Sequence, residues 1–403
     1  MIATPTLNTP EVSPIFAVEM PGEAVPAARP LKRIEGFDVA RAVAIAGMVI
    51  IHFTEALSYE TKPARLQELV GLLDGRAAAL FVILAGIGVT LMTRSAASSG
   101  DAQAIRQARW LCVRRGVFLL VLGFLNYAIW PADILRVYGI SLIVAATLLT
   151  ANKRTLLIVS SLFAITFIGM LITIEYTPHG GWNTDTYLAA WTPTNILRDL
   201  FYAGSRSVFP WTGVLLFGMW LGRLDWRLPE TQWKALACAG TLLVSAEVVS
   251  WWLVSLLTEE PVSLDSEVVV TLLGTQSMPP MPQFLLAAGS AAVFVIAICN
   301  LTANRFQGNV VIWALAALGR MALTWYLCHI ALTCMVAAVI AALREPDVAA
   351  LELTDAHLVG IEFFLICGFF AMAIGASSLF AWFKWLGPAE WLMRKLAGSP
   401  MQR

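Results

Sequence analysis

Three ionisable residues, Asp38, Arg41 and His52, stand inside one apolar stretch of the chain. A guanidinium holds anions and an imidazole exchanges protons near neutral pH, so the group could bind a charged substrate and move a proton. An Arg or Asp at mid-span costs on the order of 2.5–3.5 kcal/mol to insert, which makes such residues functional candidates by default. In a helix, the step from Arg41 to His52 returns to nearly the same face after about 16 Å. Asp38 lies one turn before Arg41 and two heptads before His52, so all three share a stripe, with Ile45 and Met48 between them. Asp38 is placed to pair with Arg41 near the cytoplasmic surface, while His52 is carried toward the outer one. Each also has a structural reading: an ion pair that locks the helix end, and a polar residue satisfied near the interface.

A second set joins the first. Arg320 opens a later apolar run and His329 follows near mid-depth, about half a helical revolution round, so these two do not share a face. Asp74 and Arg76 stand at the outer start of another run, and the hairpin Trp130-Pro131-Ala132-Asp133 is followed by Arg136 and Tyr138. The pattern gives an inner basic mouth (Arg41, Arg114, Arg115, Arg320) and an outer polar mouth (His52, Asp74, Asp133, Arg136). Polar groups at both ends of one bundle suggest a path through it, provided the helices are neighbours.

The elements that must carry these residues are membrane helices. Of 403 residues, 58% are hydrophobic and only 13% charged, with a mean hydropathy of +0.73, far from the roughly 25% charged content of soluble domains. Disorder, collagen, a disulfide scaffold and a soluble enzyme are excluded. The 27 basic and 27 acidic residues cancel, which removes any case for nucleic acid from bulk charge. The six cysteines (Cys112, Cys238, Cys299, Cys328, Cys334, Cys367) lie in apolar segments without zinc-site spacing and read as packing residues. No metal is expected. Residues 1–30 read as a disordered cytoplasmic tail and residues 31–403 as a single transmembrane helical domain.

Apolar segments fall near 37–57, 72–93, 111–131, 134–151, 155–175, 208–224, 233–257, 281–302, 321–343 and 358–383. Residues 310–320 are expected to form a short interfacial or re-entrant helix. Counted with a cytoplasmic amino terminus, 18 of the 27 basic residues fall in the inside loops, and the sign of the bias holds at each alternation. The expectation is an all-α bundle of about ten spans with both ends in the cytosol. The long outer loop 176–207 contains Trp182, Tyr187, Trp191 and Tyr202, either interface anchors or a lid. His179 and His357 read as solvated. Gly218-x-x-x-Gly222 suits a helix contact within the chain or in a homodimer. The stretch from Trp385 to Lys395 reads as an interfacial helix.

Several of these segments resemble known families. Asp38-Val39-Ala40-Arg41-Ala42 is similar to the Asp-x-x-Arg-Gly opening of the YeiB-like, heparan-α-glucosaminide N-acetyltransferase and acyltransferase family 3 proteins, with Ala42 where Gly is usual. The separation of Arg41 from His52, and Tyr326-Leu327-Cys328-His329, resemble acyltransferase family 3. Leu80 to Gly86 looks like the second span of all three families. Asp133-Ile134-Leu135 with Tyr138, Phe209-Pro210-Trp211, Gly319 to Leu327, and Gly387-Pro388-Ala389-Glu390-Trp391-Leu392 resemble the YeiB-like proteins. The resemblance runs over about residues 33–397.

It implies a transmembrane acyltransferase of the bacterial inner membrane. Such an enzyme takes an acyl group, commonly acetyl, from cytosolic acyl-CoA. It delivers the group to a hydroxyl or amine of a sugar, lipid or cell-envelope polymer on the far side. Under that resemblance Arg41, held by Asp38, with Arg320, Arg114 and Arg115, would bind coenzyme A phosphates. His52 would be the general base, oriented by Asp74 or Asp133. His329 would be a second base or an acyl-accepting intermediate. The other reading of the same charges is a small-molecule or lipid transporter or flippase, against which the two halves show no clear repeat. A structural or regulatory membrane protein, its charges merely paired, is the third.

Overall fold

The helices begin and end where short-range chemistry dictates. Asp101, Asn152, Thr192, Asp265 and Asn309 each cap the following helix through a side-chain oxygen that accepts a backbone N–H, and Thr354 forms a capping box with His357. Proline occupies the first turn of four helices, the one capped by Thr192 among them, where a missing N–H is harmless. The computed structural model describes residues 33–57, 59, 62–176, 191–260, 262–343 and 354–399. The tail at 1–30 and the loop residues His179, Trp182 and Tyr187 lie outside the described residues.

In chain order the helices are α1 (Glu35–Ala56), α2 (Ala64–Leu73), α3 (Arg76–Ser98), α4 (Ala102–Tyr127), α5 (Leu135–Thr147) and α6 (Lys153–Thr173). Then follow α7 (Pro193–Arg198), running into a π-helical turn at Asp199–Ala203, and α8 (Val208–Leu221), α9 (Pro229–Thr258) and α10 (Ser266–Leu273). The last are α11 (Pro282–Arg305), α12 (Val310–Arg320), α13 (Ala322–Leu343), α14 (Asp355–Trp382) and α15 (Pro388–Ala397). Among the described residues all regular structure is helical. Seven segments are long and apolar enough to cross a membrane: α1, α2 with α3, α6, α9, α11, α13 and α14. The chain is a multi-pass membrane protein. Each of the ten apolar segments expected from the sequence falls on a helix, α4, α5 and α8 supplying the three outside that set. Residues 310–320 are a helix of their own, α12, whose Ile312 and Ala316 to Gly319 are buried.

The chain from Ile34 onward is one compact unit, and α1 is its hub. It packs against α3, α11, α12, α13 and α14 and buries most of its length, including Phe37, Ile45, Val49 and Phe53. A largely apolar helix enclosed by others lies in the interior of its bundle, and α1 carries its charged stripe there. At the rim, α6 and α9 turn Ile158, Leu162, Ile165, Trp251 and Trp252 outward, as lipid-facing helices do.

Two helix crossings fix the frame. On α3, a Cβ at Gly86 would fall 2.1 Å from the Leu215 carbonyl oxygen of α8; on α8, one at Gly218 would fall 2.3 Å from that of Ile83. The backbones of α3 and α8 therefore touch, so the Gly218-x-x-x-Gly222 pair works within the chain. At the first turn of α1, the last turn of α12 is equally close: a Cβ at Gly319 would lie 1.8 Å from the Asp38 carbonyl oxygen.

Candidate functional site

The stripe on α1 forms as its spacing predicts, and its far end meets α13. His52 Nδ1 lies 3.1 Å from His329 Nε2, and the two rings are nearly parallel, 7° apart in plane and 5.2 Å between centroids. His329 is fully buried; its Nδ1 is 3.2 Å from the carbonyl oxygen of Trp325, one turn back. A carbonyl only accepts, so with both rings neutral His329 carries its proton on Nδ1 and offers a lone pair at Nε2. His52 must then donate from Nδ1, and its Nε2 is left as the basic nitrogen. One backbone carbonyl thus sets the tautomers of two imidazoles.

Aromatic rings hold the pair. Trp130 lies 4.9 Å from the His52 ring, and Tyr326 meets His329 edge-on at 5.3 Å. Tyr326 Oη donates to Asp133 Oδ1 at 3.1 Å, which also accepts from Asn126 Nδ2 at 2.7 Å, while Asp133 Oδ2 accepts from the Arg136 backbone N–H at 3.1 Å. The Arg136 guanidinium stacks on Tyr127, 3.6 Å from the ring centroid, and Tyr127 Oη donates to Asp199 at 3.0 Å. Asp133 is thus bonded to Tyr326, whose ring packs on His329.

A cleft of about 200 Å³ opens beside the pair, lined by Met48, His52 and Glu55 of α1, Asp74, Ser205, Arg206, Ser277 and Tyr326, among others. Asp74 accepts from Ser277 Oγ at 2.5 Å and lies 3.9 Å from Arg206, whose guanidinium covers the Trp211 ring at 5.2 Å. Gly75, at φ +69°, makes the turn between α2 and α3 against the Phe284 ring, where no Cβ fits. Among the described residues, no hydrogen bond joins Asp74 or Asp133 to His52. The cleft residues Glu55, Arg206 and Ser277 were not singled out from the sequence. Glu55 had a signal, since it stands one turn past His52 on α1; Arg206 and Ser277 had none.

At the other end of the stripe, Arg41 Nη1 pairs with buried Asp38 at 2.5 Å, and Arg320 follows the Gly319 contact with Asp38. Arg41 does not line the cleft; fully buried Ile45 stands between them. Arg114 and Arg115 have partners at the C-terminal end of the chain. They donate to the carbonyls of Leu396 (3.1 Å) and Gly398 (3.2 Å) and so close the C-terminus of α15. Arg76 pairs with Glu247 of α9 at 2.5 Å. On the opposite face of α1, buried Glu362 of α14 accepts from Thr54 Oγ1 and Tyr59 Oη, both at 2.5 Å. Burial and this bond raise the Tyr59 phenol above its ordinary pKa. His357 is the N3 partner of Thr354 in the capping box of α14. Among the described residues, no three His, Cys, Asp or Glu side chains converge as a metal site would require.

Comparison with known families separates the chain into two overlapping stretches. The model for the catalytic region of heparan-alpha-glucosaminide N-acetyltransferase matches residues 33–252, more than half of the chain. The chain belongs to this family. A second model, described as a protein of unknown function (DUF418) and corresponding to the YeiB-like proteins, matches residues 221–399. The two meet within α8 and α9, so the N-acetyltransferase family region contributes His52 and the second region His329. No curated protein and no solved structure gives a match.

Proposed function

We propose that the protein is a membrane acyltransferase of the bacterial inner membrane, moving an acyl group, in the first instance acetyl, from cytosolic acyl-CoA to a hydroxyl or amine of a sugar, lipid or envelope polymer at the outer face. The observation that carries this reading is His52 in the lining of the cleft, 3.1 Å from His329, whose other ring nitrogen faces the Trp325 carbonyl, in a chain of the N-acetyltransferase family. The pair supplies a basic nitrogen, His52 Nε2, backed by an acceptor that stabilises the positive charge the base takes on.

The reaction then runs as follows. The acceptor oxygen or nitrogen attacks the thioester carbonyl and gives its proton to His52 Nε2. The carbon–sulfur bond breaks, and the sulfur leaves as the thiol after taking that proton. The products are the acylated acceptor and free coenzyme A. His329 Nε2 accepts from His52 Nδ1–H throughout, a bond that strengthens as His52 becomes imidazolium.

Arg41 and Arg320, at the end of the stripe that the basic loops place in the cytosol, are assigned to the donor's phosphates. For the donor's arm to reach His52, the side chains of Ile45 and Met48 must give way along α1. Arg114 and Arg115, already bonded to α15, are assigned a structural task. Asp74, held by Ser277 and Arg206, is assigned to the acceptor side of the cleft, and Asp133 to the support of His329.

The test is purified protein in proteoliposomes given acetyl-labelled acetyl-CoA and an extract of envelope acceptors. Release of free thiol together with label in a product other than coenzyme A is the expected result. Donor-independent uptake of solute, with no thioester turnover, would make the protein a carrier instead.

A further inference from the structure

One carboxylate far along the chain governs the start of the helix that carries His329. Between α12 and α13 the backbone leaves helical geometry at Met321 (φ −105°, ψ 30°), so the first N–H groups of α13 have no partner from a preceding turn. Glu390 of α15 supplies one. Its Oε1 accepts from the backbone N–H of Leu323 at 2.8 Å and of Thr324 at 3.2 Å, and its Oε2 accepts from Thr324 Oγ1 at 2.6 Å. In return, Thr324 Oγ1 accepts from the backbone N–H of Ala389 at 3.1 Å. The N-termini of α13 and α15 cap each other. A negative charge here also suits the helix dipole.

The two residues after this cap lead to the histidine pair. Trp325, whose carbonyl sets the His329 tautomer, is pinned through its indole N–H to Ser377 at 2.7 Å. Tyr326, which packs on His329, is pinned to Asp133. The far end of α15 is tied to α4 by Arg114 and Arg115. The C-terminal helix is thus a strap fixed at both ends, and its Glu390 sets where α13 begins. We infer that Glu390 is a positioning residue: through Thr324 and the first turn of α13 it holds His329 in register with His52. This gives the Gly387-to-Leu392 motif a task that the acyl-transfer scheme alone does not assign. It rests on reading the histidine pair as the reactive centre.

The chain has four histidines, so histidine-selective nitrogen-15 labelling resolves the pair by magnetic resonance in lipid bilayers. The unmodified protein should show a coupling across the His52 Nδ1–H to His329 Nε2 bond. In Glu390→Ala that coupling should disappear, and kcat for acyl transfer should fall by about tenfold or more with the donor KM little changed. Glu390→Gln keeps an oxygen for the two backbone N–H groups and an amide for the threonine, so it should retain the coupling. Should Glu390→Ala fail to fold, Thr324→Val decides; it removes the reciprocal hydroxyl while keeping the side chain's shape, and it should weaken the coupling. A folded Glu390→Ala or Thr324→Val protein with the coupling and kcat unchanged would overturn the positioning role. Absence of the coupling in the unmodified protein would overturn the pair itself, and with it the catalytic reading.

Discussion

Replacing His329 with alanine separates a catalytic pair from two histidines that merely touch. In the folded protein His329 Nε2 is the acceptor for His52 Nδ1–H at 3.1 Å. Alanine leaves that donor beside Trp130 and Tyr326 without an acceptor, and an unmet polar group in such a place costs about 1–3 kcal/mol. If the whole loss falls on the transition state, where His52 is positively charged, the rate drops roughly 5- to 150-fold at 1.36 kcal/mol per factor of ten. His329→Gln returns an acceptor oxygen and should recover part of the loss. The assay is thiol release from acetyl-CoA at saturating donor, with kcat and KM for the acceptor measured separately and thermal unfolding run in parallel. A folded His329→Ala protein with kcat within about twofold of the unmodified enzyme would show that His52 does not depend on this partner.

Two further outcomes follow from the geometry. Gly86→Ala drives a methyl group into the Leu215 carbonyl and should destabilise the bundle by about 1–3 kcal/mol or more, since overpacked backbone contacts cannot relax by a rotamer change; an unaltered thermal midpoint in detergent would mean that α3 and α8 are not in backbone contact. Arg41→Ala should raise the KM for acyl-CoA by about ten- to a hundredfold, the range for losing a charged hydrogen bond, while kcat changes little; unchanged donor affinity would leave the Asp38–Arg41 pair as a helix lock.

The sequence announces the stripe on α1 because a 3.6-residue period and charges inside an apolar run are both readable without coordinates. For the same reason the ten apolar segments fall on helices. What periodicity does not carry is which helix faces which. His52 and His329 stand far apart in the chain, and nothing in either segment predicts that their rings meet. Arg114 and Arg115 illustrate the converse: a basic pair reads as a phosphate site, and its contacts with the carbonyls at the end of α15 are visible only in the fold. Asp133 reads from the sequence as a partner for His52 because both fall at the outer polar mouth; in the fold its carboxylate bonds to Tyr326, whose ring packs on His329. Glu390, inside a motif that resembles a known family, gives no hint from its neighbours that it caps a helix some 65 residues earlier.

The proposed reaction turns on the proton that His52 removes from the acceptor. In proteoliposomes supplied with labelled acetyl-CoA and acceptor, His52→Ala should release no thiol and form no labelled product above the protein-free background while keeping the thermal midpoint of the unmodified protein. Full turnover by that variant would contradict the account at its centre.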